Sequence, residues 1–193
     1  MLSLQERIDL LQQDLLATPM RIATHSDLPF AILRYEPELE WDLRRHCAQL
    51  ATRLENAGKR VTWISLADVL WEAIDNSEGI EAVVELERAS GFRTAQDQVT
   101  TYLSQEQWAA LPALLEKRLR PLDPDRDIAF LMRAAAMSPA IYQMSRLLEE
   151  MQGRTRTPTI LFYPGALEGT MGLRFMALDD REAMGNYRVK IYG

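Results

Sequence analysis

Three short apolar runs each end on residues able to do polar chemistry. Arg34-Tyr35-Glu36 closes the first, Arg133 follows the third, and Tyr163-Pro164-Gly165 closes the fourth. If these runs are parallel strands, their carboxyl ends meet at one edge of a sheet, which is where open α/β sheets hold their ligands. Arg34, Glu36, Arg133 and Tyr163 then form a candidate strand-end pocket, with guanidinium groups able to take a phosphate and a carboxylate able to move a proton. A degenerate nucleotide-binding or hydrolysing enzyme is one reading of that set. The other is that polar strand ends are ordinary in any α/β protein.

The remaining chemistries have fewer residues to draw on. A phosphate loop needs glycine-rich backbone ahead of a helix and a lysine to reach the phosphates. Tyr35-Glu36-Pro37-Glu38-Leu39-Glu40 is instead acidic and glycine-free, and Gly165, Gly169 and Gly172 enclose no basic residue and precede a strand. The chain has two histidines, His25 and His46, and one thiol, Cys47, which sits on an apolar helix face. Neither histidine stands beside a glycine-flanked nucleophile. No catalytic residue, metal ligand or cofactor is therefore assigned.

Two features point to contact with other molecules. Trp41 lies opposite the apolar face of its helix, with Arg45 one turn along, and either covers a second helical layer or meets a partner. Arg174, Arg188 and Lys190 make a candidate basic stripe across the last two strand-like segments, fit for an acidic partner or a nucleic acid, or for guarding a sheet edge.

The elements that position these residues read clearly. Leu4, Ile8, Leu11 and Leu15 recur at helical spacing behind a Ser3/Glu6 capping box. Phe30 to Tyr35 reads as a buried strand, about 38–56 as a helix stopped by Ala57-Gly58, and Arg60 to Ser65 as a second strand. Ser65 and Asp68 then cap a helix to about Ile74. The stretch 80–119 is helical by pattern, with a capping box at Ser104-Gln105-Glu106-Gln107 and a break or kink at Pro112. Ile128 to Met132 is a third strand, Ser138-Pro139 opens a helix stopped at Gly153, and Thr159 to Tyr163 is the fourth strand. Pro164-Gly165 reads as a tight turn after it, and 173–178 with 187–192 as a closing hairpin whose last strand is half-buried. The expectation is an α/β fold with a mostly parallel sheet, flanking helices, a helical insertion at about 76–122 and a C-terminal antiparallel hairpin, in one domain spanning 1–193.

With 193 residues, 47% hydrophobic and 26% charged, the chain can bury a core without disulfides or metal. Its formal charge of -6 disfavours broad binding to a phosphate backbone. No window approaches a membrane span and no basic head precedes an apolar run, so a cytoplasmic protein is expected.

Two blocks resemble the BrxB family of the bacteriophage exclusion (BREX) defence systems. One is Pro29-Phe30-Ala31-Ile32-Leu33-Arg34-Tyr35 with Glu40-Trp41, Leu43-Arg44-Arg45 and Val61-Thr62-Trp63-Ile64-Ser65-Leu66. The other is Leu161-Phe162-Tyr163-Pro164-Gly165, then Gly172-Leu173-Arg174-Phe175-Met176, then Tyr187-Arg188-Val189-Lys190-Ile191-Tyr192. The resemblance implies a small cytoplasmic component encoded with a DNA methyltransferase (PglX), an alkaline-phosphatase-like protein (PglZ) and an AAA+ ATPase (BrxC). Its expected role is non-catalytic assembly with other BREX proteins, the PglZ-like one first, with direct DNA contact less favoured. It brings no catalytic residue to any position of this chain.

Overall fold

A computed structural model of the chain describes residues 2–22, 28–137, 141–169, 172–178, 187 and 189–193. In chain order the elements are α1 (Leu4–Leu16), β1 (Phe30–Tyr35), α2 (Glu40–Asn56), β2 (Arg60–Ser65), α3 (Leu66–Asp75), α4 (Gly79–Ser90), α5 (Phe92–Ser104) and α6 (Leu111–Leu119). They continue with β3 (Asp127–Met132), α7 (Met144–Glu150), β4 (Thr159–Glu168), β5 (Gly172–Phe175) and β6 (Lys190–Tyr192). The sheet order is β2-β3-β4-β1-β6, parallel throughout, with β5 antiparallel to β4 off this path.

Burial on both faces explains why β1 and β3 read as unbroken apolar runs rather than alternating ones. On one face α1 and α2 lay Ile8, Leu11, Leu15, Leu43, Cys47 and Leu50 over Ala31, Leu33, Phe130 and Phe162. On the other, side chains of α3 to α7 pack over Phe30, Ile32, Ala129, Leu131 and Leu161. The crossovers alternate accordingly: α2 carries the chain from β1 to β2 over the first face, while α3 to α6 and then α7 return it over the second. The α/β class, the parallel sheet and the helical middle are as the sequence leads one to expect, and the Ser3/Glu6 capping box and the Ser65 cap both form.

Four local expectations are overturned. Pro164-Gly165 is not a turn: β4 runs straight through it to Glu168, pairing parallel with β1 as far as Pro164 and antiparallel with β5 from Gly165 onward. The antiparallel hairpin is consequently β4–β5, while β6 inserts parallel beside β1, with Tyr192 in one core and Ile191 against the other. An extended strand can change partners without turning, because each of its edges pairs separately, and an apolar-Pro-Gly pattern reads the same in both cases. Ser104 ends α5 instead of capping a new helix, and Pro112 sits in the first turn of α6, where its missing N–H costs nothing. Ser138 and Pro139 lie outside the described residues, and the helix expected from them is described only from Met144.

Candidate functional site

The different faces taken by the chain after β1 and after β3 leave a cleft between those strands' carboxyl ends, on either side of the place where β4 changes partner. It has a volume of about 300 Å³ and is lined by Tyr35, Pro37, Glu40, Arg44, Arg133, Ala135, Ala136, Pro164 and Met176. One wall is the link from β1 into α2, and the facing wall is the 3-10 turn Ala134–Met137 after β3.

The first wall is organised by Glu40 at the start of α2. The Tyr35 hydroxyl donates to one carboxylate oxygen and Arg44 Nε donates to the other at 2.8 Å. Burial, then the hydrogen bond to Glu40 and its charge, push the Tyr35 phenol above its ordinary range, so it stays protonated and serves as a donor. The Arg44 guanidinium also lies 4.8 Å from the centre of the Trp41 ring. On the facing wall Arg133 has φ 62°, a left-handed conformation unusual for a side chain of this size, and its Nη1 stands 3.4 Å from Asp68.

Of the four strand-end residues singled out from the sequence, Arg133 alone lines this cleft. Arg34 is buried, with Nη1 2.6 Å from Glu36. The buried Arg7 of α1 reaches the same carboxylate at 2.8 Å and the Arg34 carbonyl at 2.8 Å, so this group clamps α1 to the end of β1. Burial disfavours ionised Glu36, but the Arg7 hydrogen bond and the charges of both arginines outweigh it and hold its carboxyl below the usual range. Tyr163 is buried on the far face, edge-on to Phe175 and Tyr187.

The candidate contact residues are dispersed. Trp41 is 76% exposed, so it covers no second layer, and its cationic neighbour is Arg44 while Arg45 pairs with Asp42. Arg174 on β5 lies 3.1 Å from Glu168 on β4. Lys190 on β6 binds the Asp14 carboxylate of α1, which also accepts from the Tyr192 hydroxyl at 2.7 Å. Arg188 and His25 lie outside the described residues. Cys47 is buried, and burial pushes its thiol upward, leaving it a packing group. Sequence reasoning missed Arg44 and Met176 as cleft residues; the acidic turn before α2 was visible, but not that it faces Arg133.

No helix among the described residues is long and apolar enough to cross a membrane. The family model described as the BREX protein BrxB matches residues 62–191, from within β2 into β6. No curated protein and no solved structure matches the chain.

Proposed function

The chain belongs to the family of the BREX protein BrxB, a component of phage defence that works with other BREX proteins, and from that premise we propose that it is a non-catalytic assembly factor docking a PglZ-like partner. The observation that supports a docking role is Trp41. A tryptophan 76% exposed on α2 contributes nothing to the core, yet its ring is held against the Arg44 guanidinium. Pre-ordered aromatic and arginine side chains of this kind are the residue types that anchor protein interfaces. Direct DNA contact is the weaker reading, since Lys190 and Arg174 each stand beside a carboxylate and the chain carries a charge of -6.

Co-purification from cells carrying the whole operon tests the role. The tagged chain is expected to bring down the PglZ-like protein, and Trp41→Ala to weaken that association at least tenfold, as loss of a hot spot of about 2 kcal/mol would. A chain that purifies alone, from an operon whose defence survives deletion of its gene, ends the proposal.

A further inference from the structure

The strand-end cleft has a property the docking role does not use. Three non-glycine residues among the described ones hold positive φ: Arg133 at 62°, Met176 at 54° and Ala177 at 54°. The first two line the cleft and the third follows the second in the chain. Left-handed L-residues are costly and persist where surrounding structure imposes them, and they gather at ligand sites. The cleft also lies at a topological switch, because the chain leaves β1 over one face of the sheet and β3 over the other. That is the place at which open α/β sheets bind small molecules.

Two cations, Arg44 and Arg133, line the cleft with donors to spare. Arg44 uses Nε and Nη2 on Glu40, and its Nη1 has no hydrogen-bond partner among the described residues. Arg133 makes one contact of 3.4 Å with Asp68, and both side chains are more than half exposed, so solvent screening leaves that pair weak and exchangeable. The rest of the lining is Tyr35 and Glu40 on the polar side and Pro37, Ala135, Ala136, Pro164 and Met176 on the apolar side.

We infer that this cleft binds a small organic monophosphate, its phosphate held between Arg44 and Arg133 and its body against Pro164 and Met176. A phosphate dianion offers three acceptor oxygens in a tetrahedral array and can be gripped by two guanidiniums from opposite walls. A carboxylate offers two in one plane and suits a single arginine. The Glu40 carboxylate on the first wall opposes the extra charge of a triphosphate. The volume of about 300 Å³ stands at the small end of ligand pockets.

The test uses the full chain in phosphate-free, low-salt buffer, with binding followed by calorimetry and by the methyl resonance of Met176. AMP is expected to bind saturably and to shift that methyl; adenosine and succinate are expected not to bind, and ATP to bind more weakly than AMP. Arg133→Ala, a change at a mostly exposed side chain, is expected to lower AMP affinity at least tenfold with the unliganded melting temperature retained, and Arg44→Met to do the same to affinity. Absence of saturable AMP binding, AMP affinity unchanged in Arg133→Ala, or succinate or ATP binding as tightly as AMP would each overturn the inference. The readout needs no partner, so its failure is distinct from failure of the assembly role.

Discussion

At Arg133 the backbone works against the side chain it carries. An L-residue at φ 62° gives up on the order of 1 kcal/mol relative to glycine, which occupies that region freely. Arg133→Gly is therefore expected to stabilise the unliganded protein by about 1 kcal/mol in urea unfolding, at the expense of any function of the guanidinium; a destabilised variant would mean that the Asp68 contact outweighs the strain. A second residue of consequence is Asp14. Burial opposes its charge, but hydrogen bonds from Lys190 and Tyr192, with the charges of Lys190 and Arg21, hold its carboxyl below the usual range. Asp14→Asn is expected to cost roughly 2 kcal/mol at neutral pH, with the difference from wild type shrinking as pH falls through the folded pKa of Asp14. A pH-independent difference would mean that packing, not charge, is what was lost. The residues of the cleft were half legible. Phe30 to Tyr35 is apolar on both faces, so nothing in its pattern says which of Arg34 and Tyr35 points where; Tyr35 meets the cleft while Arg34 is buried beside Glu36.

Among the elements, β4 depends most on one atom that is missing. A Cβ on Gly165 would stand 2.2 Å from the Arg174 carbonyl oxygen and 2.9 Å from the Tyr163 ring, where backbone must move to admit it. Gly165→Ala is expected to cost about 1–3 kcal/mol and to release β5, seen as faster amide exchange across 172–175 than across β1. Equal protection of both strands would show that the hairpin adapts. The glycine is thus needed for close approach between strands, a requirement that sequence cannot separate from a turn. Signals that act within four residues were legible, such as the Ser3 and Ser65 caps, because their partners are neighbours in the chain. Ser104 failed for the opposite reason: the same residues end α5 once Tyr102 and Leu103 are drawn into the core and the chain turns away at Gln105.

For the whole molecule, the helical middle shares one contiguous core with the sheet: Val99, Leu103, Leu111 and Leu115 cluster with Ile64, Leu131 and Leu161. Unfolding followed by tryptophan fluorescence and by far-ultraviolet circular dichroism is expected to give coincident curves, whereas separated transitions would make the middle an independent unit. Acid should weaken the fold as a whole. Asp14, Glu36 and Asp127 all have carboxyls held below their ordinary values, so the folded chain binds fewer protons than the unfolded one. Their contribution is complete above the unfolded pKa and drains away as pH drops through the folded values. Stability that stayed flat from pH 6 to 3 would contradict this. The Asp14 cluster carries one more implication, for biogenesis. Its bonds to Lys190 and Tyr192 close loops of 176 and 178 residues, and β6 covers an edge of β1, an early strand. A ribosome must therefore deliver Lys190 to Tyr192 before β1, the first strand, gains its second neighbour. A chain stalled short of Lys190 would leave that edge of β1 unpaired and open as a template for aggregation.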